Sequence, residues 1–125
     1  MTKLLVVDDE ENIRFLYKEE FQDEGYEVTV AASAEEAMEK IRQTKPDIIT
    51  LDIKMAETDG IEFMRKLKKD ESEIPVVLCS AYCVYKSDFR VLASDAYVVK
   101  SADLTELKTI IKHLLGDKSS DLPSV

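Results

Sequence analysis

The chain has 125 residues, 45% hydrophobic and 34% charged, a balance that suits one globular domain and excludes a disordered segment. Its 26 acidic residues outnumber 17 basic ones for a net charge of −9, which opposes nucleic-acid binding, where a basic surface must replace phosphate counterions. No apolar run approaches the ~20 residues of a membrane span, and Met1-Thr2-Lys3 leads straight into a strand-like segment, so neither signal peptide nor membrane anchor is read and a cytoplasmic setting is expected.

Along the chain, short apolar runs alternate with segments of helical periodicity. Leu4–Val7 is the first run, followed by Ile13, Leu16, Tyr17 and Phe21 on one helical face. Val28–Ala31 is a weaker run, interrupted by Thr29, and leads into a capping box, Ser33-x-x-Glu36, then Ala37, Met38 and Ile41. Ile48–Leu51 precedes a helix with Ile61, Met64 and Leu67 inside and Arg65, Lys66, Lys68 and Lys69 on its outer face. Val76–Cys79 is followed by a short, loosely patterned helix around Lys86 to Ala93. Ala96–Val99 leads into a last helix from near Asp103, carrying Leu104, Leu107, Ile110, Ile111, Leu114 and Leu115, with His113 expected on its surface. Residues 1–116 thus form one domain, and 117–125 a polar, frayed tail. Cys79 and Cys83 are spaced as neither a zinc pair nor a redox pair and read as reduced thiols, Cys79 in the core.

Five strand–helix units with nearly continuous apolar strands predict an α/β fold, a doubly wound parallel sheet covered on both faces. In such sheets ligands bind beyond the carboxyl ends of the strands. Asp8 and Asp9 follow the first run, Asp52 the third, Ser80 the fourth and Lys100 the fifth. Each residue alone has an ordinary structural role, such as a helix cap, a turn residue or a solvated lysine. Jointly they bring three carboxylates, a hydroxyl and an ammonium to one edge. Clustered carboxylates repel unless a cation joins them, and a hard ion with oxygen ligands, Mg2+, suits the set. A carboxylate nucleophile with Mg2+ and a lysine is a phosphoryl-transfer arrangement. The three glycines form no phosphate-binding loop, which argues against a nucleotide site.

Val6-Val7-Asp8-Asp9-Glu10, Leu51-Asp52-x-Lys54-Met55 through Asp59-Gly60, Ser80-Ala81-Tyr82 and Ala96-Tyr97-Val98-Val99-Lys100 resemble the receiver domain of two-component response regulators, from residue 3 to about 115. The resemblance implies a flavodoxin-like receiver fold, with five strands in the order 2-1-3-4-5 and five flanking helices. It implies that Asp52 is the phosphoacceptor, and that Asp8, Asp9, Asp52 and the backbone carbonyl of Lys54 hold Mg2+. It makes Ser80 the hydroxyl that bonds the phosphoryl group, Lys100 the ammonium that contacts it, and Tyr97 the aromatic switch. Lys54 and Tyr82 occupy the positions that tune hydrolysis of the acyl phosphate; both are bulky, so a long-lived phosphorylated form is expected, as in single-domain phosphorelay regulators.

Two departures from the family pattern stand out: Ser101 follows Lys100 where proline is usual, and Ala56 replaces the proline after Met55. A cis bond before a non-proline residue costs ~2.5–4 kcal/mol, so a trans Lys100–Ser101 bond is expected.

The implied partners are a histidine kinase or histidine phosphotransfer protein upstream and a protein target downstream, with the chain a monomer or a phosphorylation-dependent dimer. No DNA-binding helix pair is read after the last helix, and neither nucleic acid nor membrane is an expected partner. The chain is read as a phosphoryl acceptor rather than an enzyme. The competing readings are a degenerate receiver used for docking or dimerisation, which the intact acidic, hydroxyl and lysine set opposes, and a small Mg2+-dependent phosphohydrolase. The latter class usually places a carboxylate two residues after its nucleophile, where this chain has Lys54.

Overall fold

Runs of branched aliphatic residues, apolar on both sides of the strand, are stable only where helices cover both faces of a sheet. The computed structural model, which describes residues 2–53, 55, 59–70, 73–81, 94–100 and 103–116, has that layout. Its elements run β1 (Lys3–Val7), α1 (Glu11–Asp23), β2 (Glu27–Ala31), α2 (Ala34–Thr44), β3 (Ile48–Asp52), α3 (Gly60–Asp70), β4 (Val76–Ser80), β5 (Ala96–Val99) and α4 (Thr105–Leu114). All strand pairs are parallel, in the order β2-β1-β3-β4-β5. This is the expected doubly wound sheet. The helix anticipated around residues 86–93 lies outside the described residues, so the expected fifth helix is α4 here. Among the described residues no helix is long and apolar enough to cross a membrane.

Side-chain alternation divides the core into two layers. Leu5, Val7, Ile49, Leu51, Val76 and Leu78 pack with α2 and α3, while Leu4, Val6, Ile48, Val77, Cys79 and Val98 pack with α1 and α4. β2 is the most exposed of the first four strands because it is an edge, which accounts for its broken apolar pattern.

The capping box forms: Ser33 Oγ accepts from the Glu36 amide at 3.1 Å, and Glu36 Oε1 accepts from the Ala32 amide. At the end of α1, Gly25 adopts φ +95°, and the Tyr26 amide reaches back to the Phe21 carbonyl at 3.1 Å in a Schellman-type closure.

One local expectation is corrected. Leu16 is 37% exposed, because Ile13, Tyr17 and Phe21, at strict i, i+4, i+8 spacing, take the buried stripe of α1. The last helix begins at Thr105, near Asp103 as expected; Asp103 Oδ1 accepts from the Thr105 amide at 2.9 Å and hydroxyl at 2.6 Å, a local turn that precedes the helix. Cys79 is buried and His113 exposed, both as expected.

β5 is fastened to the sheet by a side chain. Asp95 Oδ2 accepts from the Val76 amide at 2.8 Å and from Lys68 Nζ at 3.0 Å, and the same ammonium donates to the Ile74 carbonyl at 3.0 Å. Asp95→Ala leaves the Val76 amide, at a fully buried residue, without its acceptor. A loss of about 1–3 kcal/mol is expected in urea denaturation. A loss below about half a kilocalorie would mean that water satisfies the amide equally well.

Candidate functional site

The order β2-β1-β3 places the reversal of strand order between β1 and β3, where a crevice opens at their carboxyl ends. Asp8 leaves β1 and Asp52 ends β3, only 2% and 5% exposed. Asp8 is held at every polar atom. Its amide donates to the Ala31 carbonyl at 3.1 Å, its own carbonyl accepts from Arg14 Nη1 at 2.8 Å, and Oδ1 accepts from the Glu10 amide at 2.9 Å. Its remaining oxygen, Oδ2, lies 2.7 Å from Lys100 Nζ, and Asp52 Oδ1 lies 3.2 Å from the same nitrogen. Burial works against the Lys100 ammonium, but the hydrogen bond and charge of Asp8, reinforced by Asp52, outweigh it and hold its pKa above the ordinary lysine value.

The lysine backbone is tied into the same edge. The Lys100 amide donates to the Ser80 carbonyl at 2.6 Å, and Ser80, 1% exposed, faces Val99 in the β4–β5 register. On the other side of β4, the Cys79 carbonyl accepts from the Ile53 amide at 3.0 Å, which fixes the exit of the chain from Asp52. Burial, with a smaller opposing pull from Lys100 and a push from Asp52 and Asp8, moves the Cys79 thiol up to about 12, so it is an inert core group.

Ligand atoms of Asp8, Asp9 and Asp52 all lie within 4.8 Å of one another, with Asp9 the most exposed of the three. Three hard, anionic oxygen donors at that spacing fit a hard divalent ion such as Mg2+ that keeps part of its water shell.

The structure therefore brings Asp8, Asp9, Asp52, Ser80 and Lys100 to one edge. Tyr97, half-buried on β5 opposite Leu78, packs against the α2–α3 layer rather than in the acidic cluster. Lys54, Tyr82 and Ser101 lie outside the described residues, and with them the expected carbonyl ligand, the tuning pair and the Lys100–Ser101 bond.

Three contributors had no role from sequence. Arg14 anchors Asp8 from one turn into α1, and a basic residue six positions after an acidic pair is too common to signal this. Tyr17 is buried in the α1–α4 layer, where Asp8 and Asp52 add to the burial that raises its pKa, and its only signal was a phenol in an otherwise apolar helical stripe. Gly60, the first residue of α3, donates its amide to the Ile53 carbonyl at 2.7 Å, and a side chain there would run into the Asp52 carbonyl.

The chain is similar to known response regulators. The family model of the response regulator receiver domain matches residues 4–112. Regulatory protein AtoC of Escherichia coli (strain K12) is 32% identical over 92% of the chain, which spans only 25% of that regulator's length. Sporulation initiation phosphotransferase F of Bacillus subtilis (strain 168) is also 32% identical, over 94% of this chain and 97% of its own. Among solved structures, response regulator TrrA of Thermotoga maritima bound to Mg2+ and BeF has a TM-score of 0.87 at 44% identity, covering 91% of this chain and 99% of that one. The same regulator in complex with histidine kinase ThkA also has a TM-score of 0.87, covering 93% of this chain and 100% of that one.

Proposed function

Since the chain belongs to the response regulator receiver domain family and is a phosphoacceptor of a two-component system, we propose that Asp52 takes the phosphoryl group. The donor is a phosphohistidine on a histidine kinase or a histidine phosphotransfer protein. The observation that carries this reading is the Asp8–Lys100–Asp52 arrangement, with one ammonium 2.7 and 3.2 Å from two nearly buried carboxylates at the strand-order reversal. An Asp52 oxygen attacks phosphorus, a P–O bond forms, the P–N bond breaks, and the electron pair of that bond returns to the donor imidazole. Asp8, Asp9, Asp52 and the Lys54 carbonyl would hold Mg2+, which when bound offsets charge on the phosphoryl oxygens. Lys100 turns its ammonium from Asp8 toward the phosphoryl group, and Ser80 supplies a hydroxyl to another of its oxygens. The movement of Ser80 frees space into which Tyr97 turns, which changes the surface read by a protein target.

Intact mass after incubation with Mg2+ and acetyl phosphate tests the acceptor. Wild type is expected to gain one phosphoryl group and Asp52→Asn none; a gain by both would place the acceptor elsewhere. Lys54 and Tyr82 occupy the positions that tune acyl-phosphate hydrolysis in this family, and both are bulky, so the phosphorylated form is expected to be long-lived. Combined Lys54→Ala and Tyr82→Gly replacement is expected to speed its decay, followed by the return of the unphosphorylated mass. Loss within seconds from the wild-type protein would remove that assignment.

A further inference from the structure

The ladder of β1 ends at Val7, opposite Ala31 on one side and Leu51 on the other. The Asp8 amide still finds the Ala31 carbonyl at 3.1 Å, but among the described residues no backbone amide reaches the Asp8 carbonyl. A carbonyl left without a donor at a buried residue is costly. Arg14 supplies the donor: its Nη1 lies 2.8 Å from that oxygen, in a partly buried bond. The Arg14 amide itself bonds the Glu10 carbonyl at 3.1 Å, so the long side chain reaches back from a fixed point in the first turn of α1.

The carbonyl that Arg14 holds belongs to the peptide joining Asp8 to Asp9. That peptide is planar, so its orientation sets the direction in which Asp9 leaves Asp8. The Asp8 side chain is fixed separately, by the Glu10 amide on Oδ1 at 2.9 Å, and Asp52 by its place in β3. Asp9 lies between β1 and α1, in neither, yet its carboxylate comes within 4.8 Å of the other two. Mg2+ demands near-ideal octahedral geometry at about 2.0–2.1 Å, so a turn of the 8–9 peptide would take one donor out of reach. Charge gives Arg14 no such role, because a guanidinium beside a cation site repels the ion.

We propose that Arg14 is a positioning residue for the acidic site: by holding the Asp8 carbonyl it fixes the peptide between Asp8 and Asp9, and with it the mutual direction of the two carboxylates that meet Mg2+. The inference rests on the metal set named above, and it is measurable by ion binding without any phosphoryl transfer.

The experiment titrates Mg2+ alone into 15N-labelled wild type, Arg14→Met and Arg14→Lys, and reads the dissociation constant from the amide spectrum. Arg14→Met is expected to keep a native spectrum and to bind Mg2+ roughly tenfold more weakly, the order seen when a partner that orients a ligand is removed. Loss of a positive charge alone would tighten binding, so the sign of the change separates positioning from charge. Arg14→Lys, which keeps the charge and one donor, is expected to bind between the two. Asp9→Ala weakens binding by itself, and in that background Arg14→Met is expected to add little, since the carboxylate it would misdirect is gone. Unchanged or tighter Mg2+ binding in Arg14→Met overturns the proposal, even if its Tm in EDTA falls, because the bond would then serve stability alone. An equal tenfold loss in the Asp9→Ala background overturns it too. If wild type takes up no phosphoryl group while Arg14→Met still weakens Mg2+ binding, the acceptor reading fails and the positioning role stands.

Discussion

A single methyl group at position 60 is expected to remove most of the stability of this protein. A Cβ on Gly60 would overlap the Asp52 carbonyl and stand 2.7 Å from Ile53 Cα and 2.8 Å from the Ile53 carbonyl. None of these is the end of a side chain that could swing aside; all belong to the backbone leaving β3. Relief would require α3 to move off the sheet, which would break the 2.7 Å bond from the Gly60 amide to Ile53 and unseat Ile61 and Met64, both fully buried. Overpacking in a fixed core usually costs about 1–3 kcal/mol, and a backbone overlap belongs at or above the upper end, so Gly60→Ala is expected to lose more than about 3 kcal/mol in urea denaturation. Because the displaced atoms carry Asp52, any folded fraction should also take up phosphoryl groups poorly. Near-wild-type stability would show that the β3–α3 connection yields where the structure has it rigid.

The second large effect concerns the cation in the acidic site. Lys100→Met removes the Lys100 ammonium from Asp8 and Asp52, whose side chains are 3% and 6% exposed. Removing one member of a buried pair usually costs 3–5 kcal/mol; Lys100 itself is 14% exposed, so a loss of about 2–4 kcal/mol is expected at neutral pH in EDTA. Mg2+ should return much of it, since a ligand at a hundred times its Kd adds about 2.7 kcal/mol and no ammonium competes for Asp8 Oδ2. The stability of the variant should therefore depend on Mg2+ more steeply than that of wild type, measured by Tm across an Mg2+ series.

The pH dependence separates the two proteins again. The Lys100 pKa is raised in the fold, so the folded chain holds that proton more tightly than the unfolded one. Its contribution is complete below the ordinary lysine value of 10.5 and is lost as the pH climbs through the higher folded value. Wild type should lose stability over that alkaline range by an amount that Lys100→Met does not. Parallel alkaline limbs would mean that the ion pair contributes nothing.

Much of this was legible in one dimension because its signals are local. Branched aliphatic runs at Leu4–Val7, Ile48–Leu51 and Val76–Cys79 can be satisfied only as strands buried on both sides, and Ser33 with Glu36 marks a helix start by hydrogen bonds within four residues. Since ligands gather at strand ends, the polar residues after four of the five runs could be named as site candidates before any coordinates: Asp8, Asp9, Asp52, Ser80 and Lys100. Where a helical pattern offered more apolar residues than one stripe holds, as with Leu16 beside Ile13, Tyr17 and Phe21, the sequence left the choice open and packing made it.

What the sequence determined by itself is the list of elements and of reactive groups, because both follow from periodicity and from position after a strand. Tertiary structure alone decided which oxygen of Asp8 faces Lys100 and that Asp52 shares that ammonium. It also packed Tyr17 edge-on against Phe21 and left Gly60 no room for a side chain. Those facts depend on contacts between residues up to 92 apart in the chain, Asp8 and Lys100, where a shift of one or two ångströms separates an ion pair from two solvated charges.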